Sequence, residues 1–220
     1  MRNQEKYLFE NISKICIDIK KKVKLKNVGL HEPYLSKEDI SICSKSISNG
    51  YVSTFGKDIA KLESKLKEFL KCKYVILTNS GTSAMHALLI SIGIEKNDEV
   101  LVPSLTFVGT VNPILYLNAI PNFVDVDLAN HSVCPKKLEE YLKKNTFQKN
   151  NKCYNKTSKR IIKALIIVHI FGQIGEIDNL KKVSKKYNLK LIEDGAESLG
   201  STYQNKHAGN FGDAGIVSFN

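Results

Sequence analysis

From about Tyr74 onward, short apolar runs of strand length alternate with stretches of helical periodicity, and this alternation constrains the fold more than any other feature. EVLVP (Glu99–Pro103), PNFVDVD (Pro121–Asp127), KALIIVHI (Lys163–Ile170) and LKLI (Leu189–Ile192) read as strands. Helical spacing recurs between them, at about Phe107–Leu117, Pro135–Lys144 and Ile177–Tyr187. YVILT (Tyr74–Thr78) predicts a further buried strand, handing over to a helix, NSGTSAMHALLISIG, that ends at Gly93. AGIVSFN predicts a last strand. Such alternation specifies an α/β fold with a mostly parallel sheet flanked by helices, because parallel neighbours need a crossover connection.

Upstream, KICIDIKKKVKLK reads as a helix with a basic end, followed by an extended HEPY segment. SKED (Ser36–Asp39) has the form of a capping box and opens a helix running to about Ser48. GYVSTFG is an irregular link, and Ile59, Leu62, Leu66, Phe69 and Leu70 then repeat at helical spacing.

Charge raises the question of nucleic acid, since 33 basic residues face 22 acidic ones, a net +11. Eight of the basic residues lie in Lys143–Lys163, which holds no acid, so one segment carries most of the excess. It reads as a solvated, flexible loop and not as a binding arm, and no aromatic residues or nucleic-acid motif accompany it in the required pattern. The five cysteines are scattered without a C-x-x-C pair, which fits a reducing cytoplasm and neither a zinc site nor a disulfide framework. The N-terminus lacks the apolar core of a signal peptide, and no apolar run approaches membrane-spanning length. The expectation is a soluble cytoplasmic protein with no nucleic-acid or membrane partner.

Three stretches have the makings of a site. In NSGTSAMHALL, Gly81 permits close backbone approach, and Thr82 and Ser83 place hydroxyls beside the unpaired amides of a helix N-terminus, which suits a phosphate. An ordinary Ser/Thr cap would look the same. The stretch has neither a P-loop nor a G-x-G-x-x-G pattern, which disfavours nucleotide hydrolysis and hydride transfer. Phe107 follows the next strand, where it is either core or a flat face for a planar ligand. His169 ends a strand, a position more often structural than catalytic. LKLIEDGAESLGS delivers Asp194 at a strand tip, where open parallel sheets place ligands. Together these parts match the needs of pyridoxal 5′-phosphate: amides and hydroxyls for the phosphate, an aromatic face for the ring, and a carboxylate for the pyridine nitrogen.

The segments GYVSTFGKDIAKLE, NSGTSAMHA, DEVLVPSLTFVGTVNPI, IPNFVDVD, VHIFGQIGEID, IEDGAESLGS and GNFGDAGIVSFN resemble, in order and spacing, the DegT/DnrJ-type sugar aminotransferases. These are fold-type I pyridoxal-phosphate enzymes acting on nucleotide-linked keto sugars. The resemblance implies residues 1–30 as an N-terminal helical extension and 31–220 as an incomplete cofactor-binding large domain. It implies that Gly81, Thr82 and Ser218 bind the cofactor phosphate, Phe107 stacks on the ring, and Asp194 holds its nitrogen. Glu197 falls where relatives often carry Gln or His near the ring hydroxyl, and Thr54 is the implied sugar-nucleotide contact. LHEPYLSKEDI and VSFN are most similar to the branch acting on UDP-4-keto-6-deoxy-N-acetylhexosamine, which makes 4-amino sugars for bacterial surface glycans of bacillosamine or legionaminic type. Glutamate as amino donor and a homodimer, when the protein is complete, are implied as well.

The family's Schiff-base lysine is expected just after Asn220, so this chain contains no catalytic residue by that resemblance. The chain is then a piece of a longer protein, the product of an interrupted gene, or a non-catalytic, partner-dependent subunit. On its own it is expected to be poorly soluble and to gain order from a partner. A sugar dehydratase of the same fold, with His in place of that lysine, is the alternative activity.

Overall fold

A computed structural model of the chain describes residues 3–23, 34–53 and 56–219. It divides into two compact units, Met1–Gly56 and Lys57–Asn220. The first holds helices α1 (Asn3–Val23) and α2 (Lys37–Ser48). The expected capping box opens α2: the Asp39 amide donates to Ser36 Oγ (3.2 Å), and the Ser36 amide donates to the Asp39 carboxylate (2.7 Å).

The second unit begins with α3 (Lys57–Leu70) and α4 (Gly81–Ser91), then β1 (Glu99–Pro103), α5 (Val108–Tyr116), β2 (Ile120–Val124) and α6 (Pro135–Asn145). It continues with β3 (Thr146–Lys149), β4 (Lys152–Asn155), β5 (Ile161–Val168), a 3-10 turn (Ile170–Gly172) and α7 (Ile177–Lys186). It ends with β6 (Lys190–Gly195), the short pair β7 (Thr202–Tyr203) and β8 (Lys206–His207), and β9 (Ala214–Val217). Five strands form a parallel sheet in the order β2-β1-β5-β6-β9.

Alternation along each strand builds two cores, one on either face. Val100, Val102, Ala164, Ile166, Ile192 and Ile216 pack with Met85 and Leu89 of α4 and Ile114 of α5. Leu101, Leu165, Ile167 and Leu191 face the other way, onto Leu138 and Leu142 of α6 and Leu180 and Val183 of α7. Each of the Val, Leu, Ile and Met side chains contributes about 1.5–3 kcal/mol by leaving water. With helices covering both faces, the ends of the strands are the parts of the sheet left open to a ligand.

Two expectations are corrected. YVILT is not a strand: Tyr74–Thr78 carries no ladder, and Tyr74 and Ile76 are 75% and 83% exposed. A strand needs a neighbour as well as an apolar sequence, and the segment is tied down instead by Leu77, whose amide donates to the Glu63 carboxylate (3.1 Å). The basic segment is likewise no flexible loop. Its middle folds into the antiparallel hairpin β3–β4, which pairs through Cys153 and Tyr154 with the start of β5. Asn150 (φ 49°) and Asn151 (φ 55°) form the turn, the doubly left-handed geometry that matches strand twist. Phe147 stacks on Tyr154 at 5.3 Å, and Cys153 is buried in the core. Lys149 and Lys152 flank the turn and are exposed, and Cys153 alone of β4 is buried, so the hairpin reads by composition as a solvated loop.

Candidate active site

The C-terminal tip of β6 sends two adjacent carboxylates to opposite faces of the sheet, and both are buried, Glu193 at 0% and Asp194 at 5% exposure. Glu193 is consumed by structure. It accepts hydrogen bonds from the amides of Gly209 (2.8 Å), Phe211 and Gly212 (2.6 Å), and lies 2.8 Å from His169 Nε2. The strand-end His169 therefore has a structural partner.

Asp194 faces the α4–α5 side. Its Oδ2 accepts from the Thr110 hydroxyl (2.6 Å) and its Oδ1 from the Ala196 amide (3.1 Å). Burial pushes its carboxyl above the usual carboxylate range, while the Thr110 hydroxyl, the Ala196 amide and His169 pull it back. A buried carboxylate with such a balance favours a cationic partner. Thr110 is itself 2% exposed and lies 2.7 Å, hydroxyl to hydroxyl, from Thr106.

Phe107 is the N-cap of α5, without a side-chain cap bond, and is 73% exposed, so it is not a core residue. Gly109 brings α5 against α4: a Cβ there would lie 2.7 Å from Thr82 Oγ1 and 2.9 Å from Phe107 Cδ1. Any larger residue there would force the Thr82 or Phe107 side chain to shift. At the start of α4, Ser80 is the cap, its Oγ accepting from the Ser83 amide (3.2 Å). The first amides of this helix have no carbonyl within the helix to bond. Gly81 faces Ser218, and a Cβ added at Gly81 would lie 3.7 Å from Ser218 Oγ.

Five of the expected residues, Gly81, Thr82, Phe107, Asp194 and Ser218, thus gather at one end of the sheet. Glu197 is exposed three residues beyond Asp194, and its Oε2 accepts from the Phe171 amide (2.7 Å), which ties it to the 3-10 turn. Phe171 holds a left-handed backbone (φ 53°) with its ring 80% exposed. Thr54 lies outside the described residues. Sequence reading missed Thr110, whose only signal is its place one helical turn after Thr106 in TFVGT.

The DegT/DnrJ/EryC1/StrS aminotransferase family model matches residues 33–220. The chain belongs to that family. Among DegT/DnrJ/EryC1/StrS relatives, GDP-perosamine synthase of Caulobacter vibrioides is 31% identical over 195 residues, covering 89% of this chain and 48% of that protein. EpsN of Bacillus subtilis, assigned by its description to the pyridoxal phosphate-dependent aminotransferases, is 32% identical over 195 residues, with the same shares. The crystal structure of a family aminotransferase from Brucella abortus superposes with a TM-score of 0.72 at 30% identity, over 82% of this chain and 46% of that one. The chain spans about half the length of the curated relatives it matches.

The family's aminotransferases depend on pyridoxal phosphate, and the residues gathered here fit it. The Gly109 approach leaves the Thr82 hydroxyl beside the Phe107 ring, and the buried Asp194 carboxylate gains from a cation. Among the described residues no cluster of His, Cys, Asp and Glu is arranged to hold a metal, and no helix is long and apolar enough to cross a membrane.

Proposed function

We propose that this chain is the cofactor-binding part of a pyridoxal-phosphate-dependent aminotransferase that converts a 4-keto-6-deoxy sugar nucleotide to its 4-amino sugar, with glutamate as donor. The observation that carries the reading is the placement of Asp194, buried and hydrogen-bonded one helical turn from the exposed Phe107 ring. When bound, pyridoxal phosphate supplies an electron sink through its protonated pyridine nitrogen. In this reading Asp194 keeps the proton on that nitrogen, and the Phe107 face sets the plane of the ring. Thr82, Ser218, Gly81 and the first amides of α4 take the phosphate, where the helix dipole favours an anion. Glu197 stands near the ring hydroxyl, and Thr54 contacts the sugar nucleotide.

Relatives named for GDP-perosamine support a nucleotide-linked sugar as the class of substrate. A homodimer belongs to the same reading, and the exposed Ile90, Leu115 and Tyr116 of α4 and α5 offer it an apolar face.

Pyridoxamine 5′-phosphate tests the proposal on this chain, because it binds without a covalent lysine link. Calorimetric titration should show saturable binding that Asp194→Ala weakens by at least about tenfold, the scale of a hydrogen bond to a charged group. Binding that survives Asp194→Ala unchanged would refute the assignment of the nitrogen partner. Absence of binding to the unaltered chain would refute the cofactor site.

A further inference from the structure

One turn of α5 carries both Phe107, its N-cap, and Thr110, whose buried hydroxyl donates to Asp194 across a separation of 84 residues in sequence. The Thr110 hydroxyl is in turn 2.7 Å from Thr106 Oγ1, so with Thr110 donating to the carboxylate, Thr106 donates to Thr110. We propose that Thr110 is the positioning residue for Asp194: backed by Thr106, its hydroxyl fixes the carboxylate in register with the Phe107 ring. This inference rests on the proposed cofactor site and adds a residue to it.

The geometry leaves Asp194 few other restraints. Of its two oxygens, Oδ1 accepts from the Ala196 amide at 3.1 Å, while Oδ2 has the shorter bond to Thr110 at 2.6 Å. A bond of that length to a carboxylate is of the stronger, charge-assisted kind. A carboxylate held on one side only can rotate about its terminal torsion, which is broad. Thr110 removes that freedom, and it does so from the same helical turn that carries the aromatic ring. Gly109, between the two, lets the turn approach Thr82 closely. The charge environment agrees: Thr110 is the strongest influence opposing the effect of burial on Asp194. His169 acts in the same direction as Thr110, and Glu197 acts against it.

Thr110→Val removes the hydroxyl at nearly constant shape, and Thr110→Ser keeps it. Two readouts on the 220-residue chain are decisive. In the unliganded chain, the Asp194 side-chain carbon signal followed by NMR against pH should titrate higher in Thr110→Val and return in Thr110→Ser. With pyridoxamine 5′-phosphate as probe, Thr110→Val should weaken binding roughly tenfold, again with recovery in Thr110→Ser. An Asp194 titration unmoved in Thr110→Val overturns the proposal. So does unchanged affinity in that variant. If the unaltered chain binds no pyridoxamine phosphate, the cofactor reading fails by itself, and the unliganded titration still decides whether Thr110 governs Asp194. Should Thr110→Val not fold, Thr106→Val takes its place: an upward shift supports the relay, and no shift sinks it.

Discussion

Glu193 and Asp194 are sequence neighbours with different work, and the difference is set by the face of the sheet each side chain meets. Glu193 collects three backbone amides and His169, which staples the Gly209–Gly212 segment to β6. Glu193→Ala would leave these groups buried and unpaired, and a loss of about 3 kcal/mol or more is expected in urea unfolding. Glu193→Gln should not restore it, because an amide nitrogen would face an N–H donor. Asp194 behaves in the opposite sense. Its folded carboxyl binds a proton more tightly than an exposed one, since burial raises it. The stability this confers is full below the ordinary carboxylate range and is lost as pH rises through the folded value. Asp194→Asn cannot ionise. Its stability relative to the parent chain should therefore grow from about pH 3 upward and level off once Asp194 is fully charged, as paired unfolding curves would show. A constant difference across that range would mean that burial costs this carboxylate nothing. The motif IEDGAES carries Asp194 legibly in one dimension, but Thr110 is 84 residues away and its contact is a product of the fold. Local pattern cannot contain it.

At the scale of elements, periodicity served where each element's partners were themselves periodic. β1, β5, β6 and the helices α4 to α7 appear where the apolar runs place them, because both faces of this sheet are covered and every strand must be apolar. It failed at the two places where pairing decides. YVILT has the composition of a strand but no ladder among the described residues, and the β3–β4 hairpin has the composition of a loop but a ladder to β5. The hairpin is also pinned at the far end of the sheet from Asp194. Glu99, 3% exposed, accepts from Asn122 (2.8 Å), Asn155 (2.9 Å) and Ser158. Replacing residues 146–155 with a Gly/Ser linker should thus lower stability by several kcal/mol, since it exposes core and leaves Glu99 short of a donor. Cys153 gives an independent readout. Burial pushes its thiol up, so it should resist Ellman's reagent in the folded chain. Asn155→Ala, which loosens the hairpin, should let it react faster. Equal rates in the two proteins would show that the Asn155–Glu99 bond does not hold the hairpin closed.

For the molecule as a whole, the sheet ends at β9, which pairs with β6 alone among the described residues. An unpaired sheet edge is a template for another strand. Apolar side chains stand exposed elsewhere in the same unit, including Tyr74, Ile76, Leu128, Phe171 and Phe219. Soluble monomers seldom leave such groups uncovered when they form contiguous patches. The chain spans about half the length of the curated relatives with which it aligns. The 220-residue chain on its own is therefore expected to associate as its concentration rises, with average mass by light scattering climbing through the micromolar range. Ile76→Lys places a charge on the unpaired Tyr74–Thr78 segment, where Ile76 is 83% exposed and makes little core contact. It should reduce association without changing thermal stability by more than about 0.5 kcal/mol, the usual range for surface substitutions. Hydrogen exchange locates the cause. If the open edge drives association, β9 amides should exchange faster than those of the central β5 in dilute solution and gain protection as mass increases. A monodisperse monomer whose β9 is protected as strongly as β5 would instead mean that the strand closes the sheet without a neighbour.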